Sequence, residues 1–372
     1  MTSLFVFGTL RHVPLLARVL DRDPDACGTR PAALPGHVAA AVADEDFPLL
    51  VAEEGARAEG LLIEGLTARE MARLDGYEGD FGFHLREVRV ETPDGPAAAH
   101  AYFPEPGRWR TDGAWDFEGW VARWGEITAL AAEEVMAAVE KGAEPAPPFA
   151  RKARAWARIR GRAGAPQELR APMTRDDIQD LRFLPGYDGF FRLRRFELSF
   201  RTFGGGVSER VQREGFAAFD AALVLPYDPV RDCVLLIEQF RYGPVLREDP
   251  TPWMLEPIAG LVDAGEEPAD TARREAMEEA QLDLSGLEPM MQVYPSPGYT
   301  SEYFHCFLGI ADLGGQHGTV AGLDAEHEDI RSHVVPFDRA MALIETGEIN
   351  VGPLAMMLLW LARHRDRLRA AA

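Results

Sequence analysis

A short basic stretch divides an otherwise acidic chain and constrains how that chain can fold. Residues 150–175 carry 8 basic and 1 acidic side chains, whereas residues 1–149 have a net charge of −13 and residues 176–372 a net charge of −15. The stretch follows the proline-rich sequence EPAPPF, and a composition change beside a proline cluster is typical of a domain boundary. At about 100–200 residues per domain, we expect two domains, 1–142 and 185–372, joined by a basic linker at 143–184.

The basic linker has two interpretations. Its arginines recur at helical spacing, which predicts a short basic helix containing Arg151, Arg154, Arg158 and Arg162. Such a helix can dock on an acidic neighbour within the same protein, or it can form an RNA-binding patch. The acidic segments on both sides favour docking, because they would repel a nucleic acid backbone.

The composition of the whole chain narrows the classes of partner. The formal net charge is −21, and an acidic protein repels nucleic acid and anionic lipid, so neither is an expected partner. The three scattered cysteines do not suit a disulfide framework or a zinc site. The first residues do not resemble a signal peptide, and the apolar run at 354–362 is too short to cross a membrane. We therefore expect a cytoplasmic protein.

The first segment carries signals for both strands and helices. Apolar runs at 4–7 and 60–66, with an alternating run at 85–90, predict strands. Thr67 followed by Glu70 forms a capping box that begins a helix. A later helix over 116–141 is expected to end at Gly142. These signals indicate an α+β class.

The second segment begins with a hairpin signal and continues with alternating strands and helices. Two strand-like runs, 191–200 and 209–216, flank three consecutive glycines at 204–206. Further strands are expected at 292–294 and 303–310, and the predicted helices are 268–281, 337–347 and 353–368. This alternation favours a mixed α/β sandwich.

The most informative stretch predicts a glutamate-rich helix after a glycine-bounded loop. Glu275 and Glu279 are four residues apart and lie on one helix face, with Glu278 beside them. Crowded carboxylates repel one another, and a divalent cation would relieve that repulsion; hard oxygen ligands suit Mg²⁺ or Mn²⁺. The glycines before the helix would let backbone groups approach such a ligand. The alternative is an ordinary solvated helix face.

This stretch resembles the Nudix box, GX5EX7REUXEEXGU, in which U is a bulky aliphatic residue. The positions in register are Gly260, Glu266, Arg274, Glu275, Glu278, Glu279 and Leu282. Two positions depart, because Gln281 replaces the last glycine and Ala276 stands where an aliphatic residue is usual. The glycine ends the helix, so we expect its replacement to alter at most the local turn. The resemblance implies an α/β/α Nudix sandwich with a mixed sheet in the C-terminal domain.

The segments around the box resemble bacterial ADP-ribose pyrophosphatases. They are IEQFR at 237–241, PWMLEPIAG at 252–260, SPGYTSE at 296–302 and EHEDIRSHVV at 326–335. By position in that subfamily, the metal ligands are the carbonyl of Ala259 and the carboxylates of Glu275, Glu278 and Glu279. A late acidic loop supplies the base that activates water, which implies Glu326 as the base and Glu328 as a further metal ligand, or the reverse.

The same resemblance implies Mg²⁺-dependent hydrolysis of ADP-ribose to AMP and ribose 5-phosphate, with Mn²⁺ as the other candidate metal. Arg241 aligns with a family arginine near the nucleotide. Arg213 is a second candidate for substrate binding, although a surface salt bridge explains it equally well. The family's first hairpin, here 191–216, commonly swaps between subunits, which implies a homodimer through this domain. The alternatives are a Nudix hydrolase of another nucleoside diphosphate sugar and a non-catalytic sensor that binds ADP-ribose.

Two weaker signals in the first segment form a second resemblance. FVFGTLR at 5–11 predicts a strand ending in a turn, where the N–H groups of Gly8, Thr9 and Leu10 form a small anion nest. LDGYEG at 74–79 places Glu78 in a loop after a helix. Each signal taken singly indicates an ordinary turn or a surface carboxylate. Together they resemble the γ-glutamylcyclotransferase-like (AIG2-like) fold, whose motif reads [Y/F]G[S/T]LR.

The cyclotransferase resemblance implies an α+β β-barrel with helices for the N-terminal domain. In that fold the glutamate matching Glu78 is the general acid and base, and the amides of the turn hold the substrate's α-carboxylate. The implied reaction releases 5-oxoproline from γ-glutamyl peptides or amines. Phe7 stands where the motif commonly has tyrosine, which removes one hydroxyl.

Overall fold

The computed structural model describes residues 2–79, 82–323 and 328–372. The chain divides into two compact units: Met1–Arg162 with Asp188–Phe190, and Ala163–Tyr187 with Phe191–Ala372. Among the described residues, no helix is both long and apolar enough to cross a membrane.

The first unit is built on a closed β-barrel. Its strands are β1 (Thr2–Val6), β2 (Thr29–Val42), β3 (Pro48–Leu66), β4 (Phe83–Thr92), β5 (Gly95–Pro104) and β6 (Thr111–Ala114). The strand order is β3-β1-β5-β4-β2, and β2 also pairs with β3, which closes the barrel. Phe5, Leu62 and Val90 pack together in a buried cluster that joins strands from different parts of the barrel. The predicted barrel is confirmed.

Helices pack beside the barrel. They are α1 (Val13–Leu20), α2 (Ala68–Glu78), α3 (Phe117–Trp120), α4 (Glu126–Lys141) and α5 (Pro148–Gly161). The predicted capping box begins α2, because the Thr67 hydroxyl accepts from the Glu70 N–H at 3.3 Å and the Glu70 carboxylate accepts from the Thr67 N–H at 2.8 Å. Gly142 ends α4 with a left-handed φ of 62°, as predicted.

The basic helix α5, within the range predicted as a linker, packs on α4 of the first unit. The Arg154 guanidinium donates to the Glu134 carboxylate at 2.8 Å, and both side chains are buried. Arg158 donates to Glu133 at 2.8 Å one turn later. These contacts confirm that the arginines dock on acidic side chains of the same protein.

The second unit contains a mixed sheet and a separate three-stranded sheet, β7-β8-β9. The strands are β7 (Ile178–Asp188), β8 (Arg192–Phe200), β9 (Val211–Ala217), β10 (Asp220–Asp228), β11 (Cys233–Phe240), β12 (Trp253–Glu256), β13 (Ile258–Leu261), β14 (Gly286–Val293), β15 (Tyr303–Ile310), β16 (Val320–Ala321) and β17 (Ile330–Pro336). The main order is β14-β15-β10-β11-β17-β16, with β12 on β11 and β13 on β10. β10 and β15 are parallel, whereas β11 is antiparallel to both β10 and β17.

Helices cover the mixed sheet, as predicted for a layered α/β unit. They are α6 (Tyr242–Leu246), α7 (Pro268–Ala280), α8 (Phe337–Thr346) and α9 (Gly352–Ala370). Leu343 of α8 and Leu358 of α9 share a buried core with Leu223 and Leu225, two alternate residues of β10. The glutamate-rich helix α7 packs instead against β13 and β10.

The end of α7 accommodates the missing box glycine without losing the turn. Gln281 has φ 51° and ψ 38°, a left-handed conformation that glycine adopts at the lowest cost. Its N–H donates to the Met277 carbonyl at 3.0 Å, and the Leu282 N–H donates to the Ala276 carbonyl at 3.0 Å. The replacement therefore keeps the turn rather than altering it, at a cost of about 1 kcal/mol.

Candidate functional sites

Two glutamates of α7 lie against residues 259–260 of β13. A Cβ atom on Gly260 would lie 1.8 Å from Oε1 of Glu275, so a side chain at this position would displace the Glu275 carboxylate. Glu279 is 2% exposed, and its Oε2 accepts a hydrogen bond from the Ala259 N–H at 3.2 Å. The glycine thus leaves room for the Glu275 carboxylate beside the backbone.

Arg274 connects the remaining carboxylates of the box. Its guanidinium donates to Glu275 at 2.7 Å, to Glu278 at 2.9 Å and to Glu266 at 3.2 Å. Glu266 also accepts from the hydroxyl of buried Thr271 at 2.7 Å. This network ties the loop before α7 to the helix and offsets part of the repulsion among the glutamates.

Burial and mutual repulsion raise the proton affinity of the inner carboxylates. Burial raises the pKa of Glu275 to about 7, with Arg274 opposing the shift and Glu278 and Glu328 adding to it. Burial also raises the pKa of Glu279 well above its ordinary value, and Glu275 adds repulsion. A divalent cation would offset both effects, and the donors are the hard oxygens that Mg²⁺ and Mn²⁺ prefer. The donor chemistry therefore fits the metal implied by the sequence.

The described residues do not complete a metal site by themselves. Within residues 2–79, 82–323 and 328–372, no group of three or more His, Cys, Asp or Glu side chains is placed to hold a metal ion. Glu275 and Glu278, two of the predicted ligands, instead pair with Arg274. Glu326, the predicted base, lies outside the described residues.

Arg241, a predicted substrate-binding residue, lies within electrostatic reach of Glu279. Its guanidinium donates to Glu256 at 2.7 Å. Its charge opposes the rise in pKa that burial causes at Glu279 and at Glu302. The sequence motifs did not predict a role for Glu256 or Glu302, although both residues lie in segments that carry the family resemblance.

Two other predicted residues lie in different surroundings. Glu328 contributes repulsion to both Glu275 and Glu279, which places it near the box, and its Oε2 accepts from the Leu323 N–H at 3.1 Å. Arg213 lies on β9 in a surface cleft. No recorded hydrogen bond or ion pair joins it to the box within the part of the chain that the structure describes.

The first unit contains a cavity of about 130 Å³. Its lining brings together Gly8, Thr9 and Leu10, from the turn after β1, with Glu78 at the end of α2. The structure therefore joins the two weaker sequence signals in one place. Residues of α4 and α5 complete other parts of the lining.

Glu78 is the last residue of α2 and is buried. The predicted loop position is therefore wrong, and the side chain is not a surface carboxylate. Burial raises the pKa of Glu78 to about 8, because a low-dielectric environment disfavours the charged form. A carboxyl group with this pKa can both donate and accept a proton near neutral pH.

Two residues of the cavity wall carry polar atoms without a hydrogen-bond partner among the residues that the structure describes. They are the indole N–H of Trp120 and the hydroxyl of Thr128, and both atoms are buried. Buried polar groups are normally hydrogen-bonded, so these two atoms are unusual.

Two family models match the chain. A model described as NUDIX domain matches residues 218–354, which contain α7 and the carboxylates around Gly260. A model described as Gamma-glutamyl cyclotransferase, AIG2-like, matches residues 4–117, which contain the turn at 8–10 and Glu78. Both resemblances inferred from the sequence are confirmed.

Individual relatives carry names of nucleotide-sugar hydrolases. The ADP-ribose pyrophosphatase of Escherichia coli (strain K12) is 39% identical over 204 residues, which cover 55% of this chain and 97% of that protein. The ADP-ribose pyrophosphatase of Haemophilus influenzae is 38% identical over 198 residues, covering 53% of this chain and 91% of that protein. The GDP-mannose pyrophosphatase of Citrobacter koseri is 32% identical over 174 residues, which cover 47% of this chain and 89% of that protein.

The raised pKa of Glu78 predicts a specific dependence of stability on pH. A carboxyl with an ordinary pKa of 4.5 when unfolded and about 8 when folded favours the folded state at low pH and loses that stability as pH rises through 8. Glu78→Gln cannot titrate, so its melting temperature should rise relative to wild type by several degrees between pH 5 and pH 8. Thermal unfolding across this range, with exposed Glu87→Gln as the control, tests this. A Glu78→Gln difference that does not change with pH would contradict the raised pKa.

Proposed function

This chain belongs to the Nudix family, and from that membership we propose that its second unit hydrolyses ADP-ribose to AMP and ribose 5-phosphate with Mg²⁺ or Mn²⁺. The observation that carries the proposal is the position of two glutamates of α7 against residues 259–260: the Glu275 carboxylate lies beside Gly260, and Glu279 accepts a hydrogen bond from the Ala259 N–H. The charge of Arg241 acts on Glu279. Relatives named ADP-ribose pyrophosphatase support this substrate.

The proposed reaction is attack of water on one phosphorus of the diphosphate. A new bond forms between phosphorus and the water oxygen, and the bond to the oxygen bridging the two phosphates breaks. The water proton passes to a carboxylate of the late acidic loop, for which we propose Glu326, with Glu328 as the alternative. A bound divalent cation neutralises the diphosphate oxygens and makes the phosphorus more electrophilic.

The proposed metal ligands are the carboxylates of Glu275, Glu279 and Glu278, the carbonyl of Ala259, and Glu328. Arg274 positions the glutamates of α7, because it is hydrogen-bonded to Glu275 and Glu278. Arg241, held by Glu256, is suited to bind an anionic or planar part of the nucleotide.

The relatives also motivate a second substrate, since the Citrobacter koseri protein is named GDP-mannose pyrophosphatase. Comparing kcat/KM for ADP-ribose, ADP-glucose, GDP-mannose and NADH would identify the preferred nucleotide. Tight binding of ADP-ribose without turnover in Mg²⁺ or Mn²⁺ would instead favour a non-catalytic sensor that binds ADP-ribose.

We predict that Glu279→Gln lowers Mg²⁺-dependent formation of AMP from ADP-ribose by about 100-fold or more, because it removes a metal ligand. The fold should remain, since the amide has the same shape and avoids burying a charge. The matched control is Asp270→Asn, which replaces an exposed carboxylate on the same helix. Unchanged turnover in Glu279→Gln would exclude Glu279 as a ligand.

We also propose a homodimer formed through β8 and β9. Exposed aromatic side chains on or beside these strands support this assembly: Phe200, Phe203 and Phe216 are 41%, 89% and 45% exposed, and a partner chain would cover this apolar surface. A partner's hairpin could also bring Arg213 to the box.

Light scattering should give a molar mass twice that of the chain, and the double variant Phe203→Ser with Phe216→Ser should lower this mass toward that of the monomer. A monomeric wild type would exclude the proposal.

For the first unit we propose γ-glutamyl cyclotransferase activity, and the buried Glu78 in a cavity beside residues 8–10 supports it. The substrate's α-amine nitrogen attacks its γ-carbonyl carbon, which forms the ring, while the bond from that carbon to the departing amine breaks. Glu78 takes the proton from the attacking amine and returns it to the departing one, so no water is consumed. The N–H groups of Gly8–Leu10 are the proposed site for the α-carboxylate.

We predict 5-oxoproline release from a panel of γ-glutamyl peptides and amines by the full-length protein. Glu78→Gln should reduce this release to the uncatalysed rate, because the amide cannot carry the proton. Hydrolysis of ADP-ribose should be unchanged in the same variant, which serves as the control for folding. Equal release by wild type and Glu78→Gln would remove the cyclotransferase proposal.

A further inference from the structure

We propose that the Tyr102 hydroxyl accepts a hydrogen bond from the α-amine of the substrate and holds that nitrogen beside Glu78. Asp75 is a positioning residue in this proposal, because it fixes the direction of the hydroxyl. The site would then bind a ligand with an α-amine more tightly than a ligand of the same shape without one. This inference rests on the proposed cyclotransferase function and names the group of the substrate that the cavity recognises.

Tyr102 lies on β5 and lines the same cavity as Glu78. The residue is 6% exposed, and its ring packs in a buried cluster that includes Leu10 and Leu74. Leu10 belongs to the turn whose N–H groups are the proposed site for the α-carboxylate, and Leu74 belongs to α2. This packing fixes the ring relative to both the turn and the helix, so the hydroxyl has a defined place.

One hydrogen bond sets the direction of the hydroxyl proton. The Tyr102 hydroxyl donates to Oδ1 of Asp75 at 2.7 Å. Asp75 and Glu78 are three residues apart on α2 and therefore lie on one face of that helix. A hydroxyl has one proton and two lone pairs. Because the proton is directed to Asp75, the oxygen can only accept a hydrogen bond from any further group.

Glu78 lies within electrostatic reach of the same hydroxyl. Burial raises the pKa of Tyr102, and the hydrogen bond to Asp75 and the charges of Asp75 and Glu78 raise it further. The hydroxyl therefore keeps its proton at physiological pH. An amine brings several N–H donors and can bond to an acceptor oxygen and to a carboxyl group at once. A neutral acceptor near Glu78 therefore suits an amine.

The charged side chains of the wall do not by themselves select an amine. Among the described lining residues they are Glu45, Asp46, Glu78, Arg151 and Lys152. Lys152 donates to Asp46 at 2.6 Å. Burial raises the pKa of Glu45, with Asp46 adding to the shift and Lys152 opposing it. Charges of both signs are thus interspersed, so recognition of an amine depends on a directed acceptor.

In the proposed reaction this contact places the nucleophile. The α-amine nitrogen attacks the γ-carbonyl carbon of the same molecule while Glu78 takes one proton from that nitrogen. A primary amine has a second N–H, which donates to the Tyr102 oxygen. The nitrogen becomes positively charged as it attacks, so this hydrogen bond becomes charge-assisted. The contact is then stronger in the transition state than before it, and it lowers the barrier.

The first test compares binding of γ-glutamylalanine with binding of N-glutarylalanine, which has the same skeleton without the α-amine. Calorimetry uses full-length Glu78→Gln, which should not turn over the substrate, and the same protein with Tyr102→Phe added. We expect Glu78→Gln to bind γ-glutamylalanine about 10-fold more tightly, and Tyr102→Phe to remove most of that preference. N-glutarylalanine should bind both proteins equally. Tyr242→Phe, at a tyrosine 77% exposed in the second unit, is the matched control.

The second test measures 5-oxoproline release by full-length wild type, Tyr102→Phe, Asp75→Ala and the double variant. Tyr102→Phe should lower kcat/KM by about 10- to 100-fold. Asp75→Ala should lower it less, because the hydroxyl remains but can rotate. In the double variant Asp75→Ala should add no further loss, since Asp75 acts through the hydroxyl. Asp75 is exposed, and Glu87→Ala, at another exposed carboxylate of the same unit, is the control.

Each outcome decides the inference. The same preference with and without the Tyr102 hydroxyl, no preference in either protein, or additive losses in the double variant would overturn it. A lower melting temperature of Tyr102→Phe with an unchanged preference would mean that the hydrogen bond to Asp75 only ties α2 to the barrel.

Failure of the cyclotransferase proposal can be told apart from failure of this inference. If wild type releases no 5-oxoproline, the cyclotransferase proposal fails, and the calorimetric comparison alone then tests Tyr102. A preference for γ-glutamylalanine that Tyr102→Phe removes would support an amine site, whereas undetectable binding of both compounds would reject it.

Discussion

The second unit depends on a close approach between helix α7 and strand β13 at Gly260. A Cβ atom there would overlap the side chain of Glu275 and would displace its carboxylate. The approach carries Glu279 to the backbone N–H of Ala259 and buries it. Burial and crowding then raise the pKa values of both carboxylates, and this electrostatic cost is what a cation would relieve.

The buried carboxylates of the two units have different electrostatic surroundings. Around α7 the negative charges are crowded, and Arg274 supplies a compensating charge through hydrogen bonds to Glu266, Glu275 and Glu278. In the first unit Glu78 is buried, and this burial raises its pKa to about 8. The first arrangement suits binding of a cation, and the second suits transfer of a proton.

Much of each site could be predicted because its signals are local in the sequence. The four-residue spacing of Glu275 and Glu279 places them on one helix face whatever surrounds it. Gln281 shows a limit of such reasoning, since the sequence predicted at most an altered turn there and glutamine keeps the turn in a left-handed conformation. Glu256 was missed because its role depends on pairing with Arg241, which lies fifteen residues earlier, just after the neighbouring strand β11.

The sequence by itself determined the helices α2, α4, α7, α8 and α9, the two families and the glutamates of the box, since capping, helical spacing and turn residues act over a few positions. The tertiary structure decided the burial of Glu78 and the membership of α5 in the first unit. Both depend on packing between distant segments: Arg154 meets Glu134 across two helices, and Glu78 lines the same cavity as the turn at 8–10. Desolvation is set by everything that surrounds a group, so no local pattern could reveal it.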